Sequence, residues 1–222
     1  MSRHLDAKDF VDRARARSTA AAGARVISLD EVRAAAVAAG PRWRLDDLTG
    51  RLAELSGQGA VASLTAAAAL VLEVQARREP CAWIATPGSS FFPPDLADGG
   101  VDLEALVVVR ARDALIAARA ADTLLRSGGF ALLVLDLGAG ELATATQGRL
   151  VSLAQRHDAA LVAITERARD AGSLGSIVSL RAEAVRERRG GQFAVTVRAL
   201  KDKRRGPGWS DPVEVVPPAG LR

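Results

Sequence analysis

The run LAELSGQGAVASLTAAAALVLEVQ, from Leu52 to Gln75, joins an apolar strand-like segment, a glycine-bearing turn and an Ala-rich helical segment. That order is the frame of a phosphate loop, G-x-x-x-x-G-K-[ST]. In such a loop the glycines let backbone N–H groups wrap phosphates, the lysine neutralises charge and the hydroxyl holds magnesium. Gly57 stands at the first glycine position. Ala62 replaces the second glycine, Ser63 the lysine and Leu64 the hydroxyl residue, with Thr65 one position late. No lysine lies between Lys8 and Lys201, so a shifted register does not restore the motif. The helix start attracts an anion weakly, but tight triphosphate binding is not expected. Further on, LLVLDLG ends a hydrophobic run near Asp136, where a magnesium-orienting carboxylate belongs in such proteins. With the loop chemistry gone, the plainer role for Asp136 is to cap the loop that follows its strand.

Other reactive chemistry is sparse. Cys81 is the single cysteine, which excludes an internal disulfide, and its apolar setting in PCAWIAT reads as a buried strand residue rather than a nucleophile. His4 and His157 have no partner at metal-ligand spacing, so no metal site is expected.

The elements that would position these residues alternate along the chain. RLAELS is read as a strand, 63–78 as a helix, CAWIAT as a buried strand, GSSFFPPDLADGG as a loop and LEALVVVR as a strand. ARDALIAARAADTLLRSGG is an amphipathic helix with a glycine stop; FALLVLDLG, TATQGRLVSLAQRHD and ALVAIT follow as strand, helix and strand. Short apolar strands alternating with helices predict a parallel sheet covered on both faces. After Gly172 the period changes. SIVSLRAEAVRERR, QFAVTVRALKDKR and PVEVV read as antiparallel strands, with RRGGQ as a hairpin turn. The expected fold class is α/β: a mostly parallel central sheet flanked by helices, with antiparallel strands at its C-terminal edge.

Composition agrees with one compact domain. The chain has 222 residues, 49% hydrophobic and 25% charged, which excludes a disordered chain. A net charge of +4 permits an acidic partner without demanding one. The charged N-terminus lacks a signal peptide's apolar segment. The uncharged stretch 55–72 is interrupted by Gly57 and Gly59 and reads as a buried strand–turn–helix rather than a membrane span. A cytoplasmic protein is expected. Residues 1–45 read as a helical arm, with helices over 5–21 and from a Ser28–Glu31 capping box to Gly40, followed by a core over 46–216 and an extended tail over 217–222.

The order of these segments resembles the ATPase core of the RecA recombinase. GRLAELSG is similar to the strand entering the phosphate loop, EPCAWIAT to the next strand, GVDLEALVVVR to the Gly-Val-Asp-x-x-x-Leu segment, and FALLVLDL to the magnesium strand. ALVAITE is similar to the sensor strand and VTVRALKDKRRGP to the late strand carrying Lys-Asn-Lys. The resemblance covers roughly residues 45–216 and implies a RecA-like core. The departures coincide with the chemistry: Pro87 stands where the catalytic glutamate belongs, and Thr165 and Glu166 where the Asn-Gln sensor belongs. The two loops that bind single-stranded DNA in RecA are shortened here. Weak or no direct nucleic-acid binding is therefore expected.

A RecA-like chain with a broken ATP site and an N-terminal arm resembles the ImuA family. That resemblance implies a non-catalytic adaptor in SOS-induced error-prone translesion DNA synthesis, with no cofactor. The partners it implies are ImuB, RecA and, through ImuB, an error-prone replicative polymerase. Lys201 and Lys203 fall at the pair that in RecA filaments reaches across to the neighbour's ATP. They are candidate partner-binding residues, against a plainer reading as a solvated basic strand end. Trp209 is a candidate partner anchor, against a role covering its own sheet. Phe91 and Phe92 pose the same choice. The alternatives are a RecA-class ATP-binding recombination protein and a cell-division inhibitor resembling SulA.

Overall fold

In the computed structural model, residues 42–59, 62–89, 91–189 and 192–213 are described; the expected arm helices, the capping box and the tail lie outside them. The described residues belong to a compact unit running from Pro41 to Arg222. Its elements are α1 (Leu45–Leu48), β1 (Leu52–Ser56), α2 (Ser63–Ala76), β2 (Cys81–Ala85), α3 (Pro93–Asp98), β3 (Leu106–Arg110) and α4 (Ala114–Arg126). They continue as β4 (Leu132–Gly138), α5 (Thr144–Arg156), β5 (Ala160–Thr165), β6 (Leu180–Arg189), β7 (Gln192–Asp202) and β8 (Ser210–Val213).

The strands form one 8-stranded sheet in the order β3-β2-β4-β5-β1-β6-β7-β8. Every pairing from β3 to β6 is parallel, and β6–β7 and β7–β8 are antiparallel. The expected α/β class, with antiparallel strands at the C-terminal edge, is therefore observed. β1, β2, β4 and β5 are buried along their whole length, which is why they read as continuous apolar runs rather than alternating ones.

Alternation reappears in which face each residue serves. Ala53, Leu55, Cys81, Trp83 and Val162 pack with α2, whereas Leu52, Ala82, Ile84, Leu133 and Leu161 pack with α4 and α5. In α2 the small Ala66 and Ala67 and the larger Leu70, Val71 and Val74 share one buried stripe, each of the larger ones stabilising by about 1.5–3 kcal/mol. The helix stops at Arg77, and Arg78 follows at φ 59°. Trp43 ties the chain entry to this layer. Its indole N–H donates to the Ala66 carbonyl at 2.9 Å, and its backbone N–H donates to Asp211 at 2.8 Å. Trp43 and Leu45 are buried in the core, so core packing begins ahead of residue 46.

Three local expectations need correction. The segment 88–100 is not all loop: it contains α3, begun by prolines at the first helical positions, followed by Asp95 in the first turn and ended before Gly99. β6 begins at Leu180 rather than Ser176, and its first residues pair in parallel with β1 on one side while the strand pairs antiparallel with β7 on the other. Finally, the sheet is not covered everywhere. β3 lies at its edge, where Val107 and Val108 are 44% and 40% exposed.

Among the described residues, no helix is long and apolar enough to cross a membrane.

Candidate functional site

The C-terminal ends of β1, β4 and β5 meet in a cleft of about 360 Å³, lined by Gly57, Gln58, Gly59, Ser63, Leu64, Gly88, Asp136, Gly138, Ile164, Thr165 and Glu166. The crevice beyond the carboxyl ends of parallel strands is the usual ligand position in open α/β sheets. Of the residues singled out from the sequence, Gly57, Ser63, Leu64 and Asp136 are brought together here. Gly57 and Gly59 supply the rim, Ser63 and Leu64 the first turn of α2, and Asp136 the far wall. Ala62, which caps the start of α2, is outside the lining and 6% exposed.

Local hydrogen bonding takes up donors that a phosphate loop would leave open. The N–H of Ala62, at the second-glycine position, donates to the Ala184 carbonyl of β6 at 3.1 Å. That donor is turned onto the protein's own sheet rather than into the cleft. The Gly57 N–H likewise donates to the Thr165 carbonyl at 3.2 Å. A phosphate loop works by leaving several such donors converging on one anion. Here two are consumed by strand neighbours, and no basic side chain among the described residues lines the cleft. The charged side chains among its described lining residues, Asp136 and Glu166, are both acidic.

The floor is fixed by the sheet. Thr86 donates through both its N–H and its hydroxyl to the Asp136 carbonyl, at 3.0 and 2.9 Å. The Glu166 N–H donates to the Gly138 carbonyl at 2.8 Å. Between Asp136 and Gly138 the β4–β5 register slips, a bulge that re-aims the strand end. Asp136 is 1% exposed. Pro87 sits in an exposed turn. The hydroxyl of Ser63 is buried and finds no hydrogen-bond partner among the described residues.

Beside the cleft, on the α4–α5 face, lies a charged network. Glu54, fully buried in β1, accepts from the Thr165 hydroxyl at 2.7 Å and from the Leu174 N–H at 2.8 Å, with the Arg167 Nε at 3.5 Å. Arg181 of β6, 4% exposed, donates to the Ser56 hydroxyl at 2.8 Å and to the Ala168 carbonyl at 2.6 Å, and also reaches the Ala171 carbonyl. Together these groups clamp the segment 167–174 against the sheet. Sequence reading passed over them. The available signal was Glu54, an acid inside the otherwise uncharged run LAELS.

Lys201 and Lys203 do not line the cleft. The Lys201 ammonium donates to the Ser173 hydroxyl at 3.1 Å, and that of Lys203 donates to the Ser176 carbonyl. Burial lowers the pKa of Lys201 from its ordinary value, and the neighbouring charge of Lys203 acts in the same direction. Trp209 is half-buried against the core, and its indole N–H donates to Asp202 at 3.1 Å. Of the phenylalanines, Phe91 is buried on Trp83 with ring centroids 5.3 Å apart and carries the Arg110 guanidinium 5.1 Å above it, whereas Phe92 is 55% exposed. Among the described residues, no group of three or more His, Cys, Asp or Glu side chains is suited to a metal ion.

No family model matches the chain, and no curated protein matches it significantly.

Proposed function

We propose that this protein is a non-catalytic, RecA-like adaptor of error-prone translesion DNA synthesis, acting through contacts with ImuB and RecA. One observation carries the reading. A strand end, a glycine turn, a helix start and Asp136 are assembled around one cleft, yet the Ala62 N–H is bonded to β6 and no basic side chain among the described residues lines the cleft. A fold that keeps the frame while losing the donors, the lysine position and the catalytic-glutamate position is suited to recognition rather than hydrolysis. The sheet supports the RecA-like part of the reading: a parallel block with β1 inside it, continued by antiparallel strands on the side where Lys201 and Lys203 lie. In this reading the chain docks on a RecA subunit, presents these lysines to that subunit's nucleotide and caps the filament.

The test is a pull-down of the purified full chain against RecA and ImuB, with and without ATP. Binding to either is expected, and binding to RecA is expected to depend on ATP and to weaken in a K201E/K203E variant. Binding to neither overturns the adaptor reading. Charge reversal without effect removes the lysines from the interface.

A further inference from the structure

We infer that the outer edge of β3 docks a second copy of this chain, antiparallel and with Val107 on the two-fold axis, so that two sheets join into one. β3 ends the sheet order, and among the described residues no strand pairs with its outer side. Leu103, Val107 and Val108 are three of the five large hydrophobic side chains that stand exposed among the described residues. All three fall between Leu103 and Val108, on or just before this strand. An apolar edge strand left in this state is a template for another strand.

The backbone supplies the bonds. The Ala111 N–H donates to the Ala85 carbonyl at 2.9 Å, and the direction of the backbone groups alternates along a strand. Val107 and Val109 therefore turn theirs onto β2, while Leu106, Val108 and Arg110 turn theirs outward. In an antiparallel pair centred on Val107, Leu106 of one copy exchanges hydrogen bonds with Val108 of the other, on each side of the axis. The two Val107 side chains then meet as a closely spaced, non-hydrogen-bonded pair.

The order of charges selects a second copy as the occupant. Glu104 precedes Val107 by as many residues as Arg110 follows it, and Asp102 and Arg112 are likewise equidistant from it. All four are exposed. Glu104 lies in the turn that enters β3 and Arg110 at its end, so the charges flank the ladder rather than interrupt it. The two-fold sets Glu104 against the partner's Arg110 and Asp102 against the partner's Arg112, each pair formed twice. A parallel pairing in register sets like charges together instead. This edge is complementary to itself, as an isologous contact requires. The pairing is independent of the adaptor reading.

The experiment is sedimentation of the purified full chain over a range of concentrations. A monomer–dimer equilibrium is expected. V107K places two ammonium groups on the axis and should abolish it. V108P removes an outward N–H without touching the β2 ladder and should do the same. E104R and R110E should each weaken dimerisation about tenfold or more. An equimolar mixture of these two variants should restore it, because each copy then offers the charge that the other needs. Val107 and Glu104 are exposed, so V107K and E104R keep the fold and the test stands even if R110E does not fold. Under oxidation V107C should cross-link to its own copy, since opposed Cα atoms in such a pair lie about 4.5 Å apart. L115C, exposed on α4, should not. A chain that stays monomeric at every concentration, a dimer that survives V107K, or V107C cross-linking no faster than L115C overturns the pairing.

Discussion

The hydroxyl of Thr165 donates to the carboxylate of Glu54 at 2.7 Å, bridging β5 and β1 beneath the cleft. Because Glu54 is fully buried and also holds the Leu174 N–H, its removal strands two donors and leaves Arg167 without one of its two acidic neighbours. E54A is expected to cost about 3 kcal/mol, and E54Q less because it keeps an acceptor. Urea unfolding of the two variants checks this. Equal midpoints for wild type and E54A would contradict the network.

Asp202 makes a pH-dependent contribution to stability. Burial raises its pKa, but the Arg204 N–H, the Arg51 guanidinium at 2.6 Å and the Trp209 indole outweigh that and hold it below the ordinary carboxylate value. A folded pKa below the unfolded one gives stability that is complete above the unfolded value near 3.9 and lost as pH falls through the folded value. Wild type should therefore lose more stability than D202N between pH 5 and pH 2, windows expressed roughly. Parallel losses in urea midpoints would remove Asp202 from the acid transition.

Cys81 should be inert while the protein is folded. Burial pushes its thiol up to about 11, and the residue is wholly covered by the α2 layer. At neutral pH the thiolate is then a negligible fraction, and the reagent has no access. A disulfide reagent is expected to label it only after denaturant is added. Rapid labelling of the native chain would place Cys81 outside the core.

Gly175 is held to its size by Gln147. A Cβ at this position would lie 2.4–2.8 Å from the Gln147 amide group, and that amide cannot swing away without losing its bonds to the Leu142 and Leu174 carbonyls at 2.8 and 3.2 Å. G175A is expected to cost about 2 kcal/mol. In the Q147A background the penalty should shrink, which a double-mutant cycle in urea would read directly.

ATP titrated calorimetrically into the full chain should give no saturable heat, and S63K alone should not create it. The lysine would arrive where the Ala62 N–H remains bonded to Ala184 and Leu64 still lacks a hydroxyl. Saturable binding by wild type would move the protein into the ATP-binding class.

What the sequence made legible is what depends on local pattern. The buried strands were visible because both of their faces are apolar, and α4 was visible from Asp113, which accepts from the Ile116 N–H at 2.8 Å, to the glycine at 128. The cleft was visible because a strand–glycine–helix unit is contiguous in the chain. α3 was hidden because prolines and flanking glycines signal a turn as readily as a helix start. The exposure of β3 was hidden because LVVVR carries the same apolar run as a central strand, and only the sheet order makes it an edge. The Glu54 and Arg181 network was out of reach for a different reason. Its links to β1 span 111 to 125 residues of sequence, where no periodicity connects them.

The seat of β1 between β5 and β6 also sets a timetable for synthesis. This strand leaves the ribosome early, yet its flanking partners, Leu161 to Thr165 on one side and Leu180 to Ala182 on the other, are made more than a hundred residues later. At translation rates of about 5–20 residues per second, β1 waits roughly 5–25 s for its flanking strands. During that interval the nascent chain carries an unpaired hydrophobic strand, a natural client for a holding chaperone. Closure of the sheet, and with it assembly of the cleft, becomes a late event in the life of the newborn protein.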